Sequence, residues 1–226
     1  MEEEQSVLRW GGLAGILGGI TFILVFVVVI AFVGADPAQP EREVMRFPDI
    51  RAVRTVEDSL YLVVLILWVA HFLALYRALR ETSLAPSLFG SVIGIVGLGV
   101  LAAGALPHVA SVPISELYHA PGATPEDRAT LVLLWQATEG IFDALFGVGL
   151  LLVPMGFAAL GVAMLGSPAF GKGFGRLSVA LGVAGVVAAS VLLVDPLSPS
   201  AFVGVLSLII FHLVLGWKLY SLSRAP

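Results

Sequence analysis

Residues 84–106 read LAPSLFGSVIGIVGLGVLAAGAL, a run with no charged side chain in it. The hydrocarbon core of a bilayer is about 30 Å thick, and about 20 mostly apolar residues of helix cross it. Six segments meet that requirement: Val7–Val33, Leu60–Leu79, Leu84–Leu106, Ile141–Leu165, Leu177–Val194 and Phe202–Leu219. In lipid, isolated strands would leave backbone groups unpaired, so the segments must be helical. They are also too continuously apolar for the alternating strands of a membrane barrel. The expected fold is all-α: one polytopic domain over residues 1–226 with six transmembrane helices. Val33-Gly34-Ala35 resembles a signal cleavage site. The apolar run before it exceeds the 7–15 residues of a signal core and follows three glutamates, so a retained helix is expected.

The composition agrees. Hydrophobic residues make up 58% and charged residues 12%, about half of the roughly 25% usual in soluble domains. Mean hydropathy is +1.00. With 12 Lys+Arg against 16 Asp+Glu there is no basic surplus for phosphates, which argues against nucleic acid as a partner. The absence of cysteine removes disulfides, thiolate metal sites and cysteine nucleophiles.

Basic residues orient the chain. One side carries Arg9, Arg77, Arg80, Lys172, Arg176, Lys218 and Arg224; the other carries Arg42, Arg46, Arg51, Arg54 and Arg128 with most of the acids. Both termini are therefore expected in the cytoplasm. Two helices should project on the far side. Thr124-Pro125-Glu126-Asp127 is a good helix start, with an N-cap hydroxyl, proline in the first turn and acids against the dipole. It adds residues 125–140 to the fourth span. Pro48-Asp49 likewise opens an extension over 49–59, and the Pro-punctuated loop Asp36–Pro48 completes a small outer cap.

The three ascending helices share an aromatic–Gly pair followed seven residues later by Gly: Trp10-Gly11 with Gly18, Phe89-Gly90 with Gly97, Phe174-Gly175 with Gly182. Asp58, Phe72 and Phe89 lie 85 residues before Asp143, Phe157 and Phe174. This periodicity predicts three helix hairpins related by a pseudo-three-fold axis, with the glycine faces serving close helix packing.

Ionisable groups in or beside apolar helices are costly and face protein or water. Glu139 and Asp143 stand at i, i+4 near the outer interface with Gln136 beside them, and the repeat places Asp58 opposite, near Arg54 and Arg51. One reading pairs Arg51 and Arg54 with Glu139 and Asp143 as bracing for the cap. The other makes Asp58, Glu139, Asp143, Gln136 and Arg54 a pocket for a cation or small polar ligand. His71 and His212 each precede a basic residue by six positions and so share a depth, as axial ligands of a b-type haem would. Otherwise each bonds to a neighbouring helix. His108 lies just after Pro107, and a zinc site using it with the carboxylates lacks supporting ligand spacing. Trp68 and Trp135 read as packing residues.

The stretches Arg9–Ile16, Phe47–Arg51 and Leu73–Arg77 resemble a group of bacterial membrane proteins that share a domain of unknown function. That resemblance implies a six-helix protein of the bacterial cytoplasmic membrane and brings no activity or site residues with it. The expected function is non-enzymatic: an outward polar cluster that binds a small ligand or ion, in transport, in sensing or as a subunit beside other membrane proteins. No nucleophile or metal set accompanies the carboxylates, so no metal and no cofactor is expected. The alternatives are a redox protein holding haem between His71 and His212, and a purely structural subunit.

Overall fold

The computed structural model describes residues 2–34, 39–195 and 198–224. Seven α-helices account for nearly all of them: α1 (Glu2–Val28), α2 (Pro40–Leu79), α3 (Leu84–Gly104), α4 (Leu106–Tyr118), α5 (Pro125–Leu165), α6 (Gly171–Val194) and α7 (Ser200–Leu222). Six helical stretches are long and apolar enough to cross a membrane, with α3 and α4 forming one of them. The protein is a multi-pass helical membrane protein.

The spans form a ring in the order α1, α2, α3, α5, α6, α7, and α7 closes back on α1. Helices α2, α5 and α7 also touch one another, whereas α1, α3 and α6 do not. Inner and outer helices therefore alternate. Phe72 and Phe157, 85 residues apart in the chain, stack in the core with centroids 5.9 Å apart, and Phe211 of α7 lies 3.7 Å from Phe157. The glycine pairs follow the equivalence only in part. Gly11 and Gly18 face Ala74 and Trp68 of α2, and Gly90 and Gly97 face α5, in each case the next inner helix around the ring. Gly175 and Gly182 instead face Leu165 and Ala158 of α5, the partner in their own hairpin.

Both termini lie at one end of the bundle, where Arg77 at the end of α2 pairs with Glu4 at 2.9 Å. The opposite end carries the cap, which is larger than the sequence suggests. Helix α2 begins at Pro40, not near residue 49, with proline in its first turn and Glu41 and Glu43 against the dipole. Pro48 thus lies inside the helix instead of opening it. A proline there deprives the carbonyl four residues back of its donor; the Val44 carbonyl accepts a long bond of 3.5 Å from Ser115 Oγ instead. The loop expected over 36–48 is helical from Pro40, and its residues 36–38 lie outside the described ones. The second unforeseen piece is α4, which restarts after a turn at Ala105 and includes Pro107 in its first turn.

Helix α5 starts where the sequence places it, and a reciprocal capping box links Thr124 and Asp127. Hydrogen bonds from Thr124 hold the Asp127 carboxyl below its ordinary pKa. At 41 residues the helix is about 60 Å long, roughly twice the thickness of the hydrocarbon. The cap is thus three helical extensions around a small core of Val44, Phe47, Ile114, Tyr118 and Trp135. Helix α1 ends in a π-turn (Val29–Val33) closed by Gly34 at φ 70°, and the Arg46 guanidinium donates to the Val33 carbonyl, tying this end of α1 to the cap.

Candidate ligand cavity in the cap

Side-chain contacts join the cap helices to one another. Arg51 pairs with Glu116 at 2.8 Å, and Tyr118 Oη donates to Glu41 at 3.2 Å. Trp135 Nε1 donates to Glu43 at 3.1 Å, its ring edge-on to Phe47 at 5.3 Å. His108 Nδ1 meets Asp58 Oδ1 at 3.0 Å. The bracing expected between the α2 arginines and the α5 carboxylates is not the arrangement found. Arg51 reaches across to α4, and Arg54 pairs with Glu57 at 3.0 Å one turn along its own helix.

Between these contacts lies a cavity of about 340 Å³, within the usual range for small-molecule sites. Its walls combine charge (Glu43, Arg46, Arg51, Arg54, Asp58, His108, Glu139) with apolar surface from Phe47, Ile50, Leu62, Val109 and Trp135. Of the five sequence-derived ligand residues, Asp58, Glu139 and Arg54 line it. Gln136 and Asp143 do not, and both are exposed.

The arginines lining the cavity are engaged outside it: Arg51 with Glu116, Arg54 with Glu57 and Arg46 with the Val33 carbonyl. On the acidic side, Glu43 holds Trp135 and Asp58 holds His108. Glu139 has no hydrogen-bond or ion-pair partner among the described residues. Burial raises its pKa, with Glu43 and Asp143 adding to the rise and His108 and Arg54 opposing it. Burial raises that of Glu57 as well, against the pull of Arg54. For His108, burial disfavours the charged ring, but the hydrogen bond and charge of Asp58, with Glu139 beyond, raise its pKa above the ordinary value.

A raised histidine pKa stabilises the fold below the unfolded value near 6.5, and the contribution is lost as pH climbs through the folded value. The melting temperature is therefore expected to fall between pH 6 and pH 9, by about 2–4 °C for each kcal/mol the His108–Asp58 pair contributes. In His108→Asn that slope should flatten; an unchanged slope would assign it to other groups.

The two core histidines are at one depth, as their spacing suggests, but their surroundings do not suit haem. Both are fully buried, and their rings meet edge-on with centroids 5.0 Å apart. Trp68 lies flat on His212 at 4.1 Å, and His71 Nδ1 donates to the Gly11 carbonyl at 2.9 Å. A porphyrin would have to pass between two imidazoles already in contact, so the arrangement is a packed aromatic core. Trp68 Nε1, His71 Nε2 and both His212 nitrogens have no hydrogen-bond partner among the described protein groups. Nor do the described residues gather three metal-ligating side chains, so the zinc site weighed for His108 is not assembled.

Sequence reasoning missed Glu43, Arg46, Trp135 and the central place of His108. The signal was present in helical spacing: 43, 47, 50, 54 and 58 form one face of α2, and 108, 111, 115 and 118 one face of α4.

No curated protein and no solved structure matches the chain. One family model does, over residues 56–224, a stretch holding Asp58, His108, Glu139 and both core histidines but ending short of α1 and the start of the cap. Of the three stretches that suggested the resemblance, only Leu73–Arg77 falls inside it. Over three quarters of its length, then, the chain belongs to the family described as a domain of unknown function, DUF4386.

Proposed function

We propose that this is a binding protein of the bacterial plasma membrane, with cytoplasmic termini and an outward cap, whose cavity holds a small organic cation. The orientation rests on the excess of basic residues at the terminal end. Glu139 carries the ligand reading: a half-buried carboxylate that faces the cavity without a partner. A half-buried carboxylate with no direct hydrogen bond among the described residues, eased only through space by His108 and Arg54, is stabilised by a cation that joins it. The indole of Trp135 lines the same space and suits the face of an alkylammonium. A quaternary ammonium donates no hydrogen bond, so its contact with the carboxylate is purely ionic, and a tenfold change in Kd corresponds to about 1.4 kcal/mol.

Calorimetric titration of the purified protein with benzyltrimethylammonium tests this. Saturable binding is expected, weakened at least tenfold in Glu139→Gln, while the ligand-free variant melts at the wild-type temperature or higher. The competing reading, a purely structural cap, is favoured by the Arg51–Glu116 and Tyr118–Glu41 contacts. It predicts no saturable binding of benzyltrimethylammonium and a lower melting temperature for Arg51→Gln, and absence of binding would replace the proposal.

A further inference from the structure

The cavity sits across a boundary. Its upper wall is Glu43, Trp135 and Glu139 in the cap, but Leu62 also lines it, and Leu62 is the third residue of the apolar segment of α2. On the facing wall Val109 is three residues beyond the end of the third span. The floor is therefore at the level where hydrocarbon begins, and Asp58 and Glu139, each two residues outside an apolar segment, are at headgroup level.

That floor reaches the outer surface of the bundle. Leu62 is 40% exposed and Val109 66% exposed, and Ile66, one turn further into the membrane on the Leu62 face, is 69% exposed. The hydroxyls along this edge are turned inward on their own helix: Thr55 donates to the Arg51 carbonyl and Ser59 to the Thr55 carbonyl. The rim between the carboxylates and the lipid thus presents carbon, with its polar demand already met. A carboxylate above, an aromatic beside it and aliphatic side chains that continue onto the lipid-facing surface match a molecule that is cationic at one end and hydrocarbon at the other.

We infer that the occupant is a cationic single-chain amphiphile taken from the bilayer, its ammonium group against Glu139 and its alkyl tail leaving between α2 and α4 past Leu62 and Val109. This rests on the reading of the cavity as a cation site and adds where the ligand comes from. An entry route through lipid also fits a cap whose top is pinned by Arg51–Glu116 and Tyr118–Glu41.

The test uses the full chain in phosphatidylcholine nanodiscs. Radiolabelled dodecyltrimethylammonium and tetramethylammonium are compared as saturable binding above their partition into empty nanodiscs. In wild type both are expected to bind. Val109→Trp adds bulk at an exposed position on the lateral wall, and it should lower the affinity for the dodecyl compound at least tenfold relative to that for tetramethylammonium. Leu62→Trp, on the opposite wall, should do the same. If both compounds bind wild type and the two variants alike, the lateral route is overturned and the cation site stands. If neither binds wild type, both readings fall. Dodecyl sulfate binding as well as the cation would also overturn both, because charge would then play no part.

Discussion

Gly156→Ala is expected to prevent the protein from reaching its folded state in useful yield, although it adds only one methyl group in a helix. A Cβ at position 156 would lie 2.7 Å from the Gly90 carbonyl and 2.9 Å from the Gly94 backbone. The contact is reciprocal: a Cβ at Gly90 would meet the Leu160 nitrogen at 2.9 Å and the Gly156 carbonyl at 3.0 Å. These obstacles are main chain on both sides, so no rotamer change relieves them and α3 and α5 must separate. Overpacking ordinarily costs about 1–3 kcal/mol. Here close approach is itself the source of helix association, since lipid is as apolar as the side chains. Gly99→Ala is the control, because nothing lies within 4 Å of a Cβ there. It should be neutral or stabilising by up to about 1 kcal/mol from helix propensity. Thermal melts of the two variants decide; equal effects would mean that the helices do not cross as described.

Trp135→Ala should open the cap and leave the bundle intact. Trp135 is 5% exposed, edge-on to Phe47, and donates to Glu43. Truncating a buried tryptophan costs about 3–5 kcal/mol, which exceeds what a five-residue apolar core can spare. The cap backbone over residues 40–58, 106–118 and 125–138 should then exchange amide hydrogen at least a hundredfold faster, while the spans keep their protection. Binding of benzyltrimethylammonium should vanish with the cavity wall. Trp217→Ala, at a position 65% exposed, should change neither. Loss of protection throughout the molecule would show that the cap and the bundle are one cooperative unit.

The membrane portion was legible because it depends on long apolar runs, a property each segment carries alone. The start of α5 was legible for the same local reason, since Thr124, Pro125 and Asp127 form a complete cap by themselves. The start of α2 and the whole of α4 were not. Pro48 reads in the sequence as the start of a helix, although it lies inside one. Whether a proline ends a helix depends on what satisfies the freed carbonyl, and for Val44 that group is Ser115, 71 residues away. Missing α4 then misassigned the charges. With α4 absent from the reading, the α5 carboxylates were the obvious partners for Arg51; with it present, Glu116 takes Arg51 and His108 takes Asp58. For the core histidines, spacing gave the depth correctly. The ring contact and the stacking of Trp68 on His212 depend on how α2 and α7 rotate toward each other, which no single helix encodes.

Because the chain has no cysteine, one substitution tests the account directly. Ser59 is exposed and lines the cavity on α2. Ser59→Cys is to be probed in sealed membranes of each orientation with a membrane-impermeant trimethylammonium thiosulfonate. Modification is expected only from the side opposite the termini, slowed at least tenfold by benzyltrimethylammonium, with that protection lost when Glu139→Gln is added. Modification from the terminal side, or at a rate the organic cation does not change, would contradict an outward cap that holds a cation.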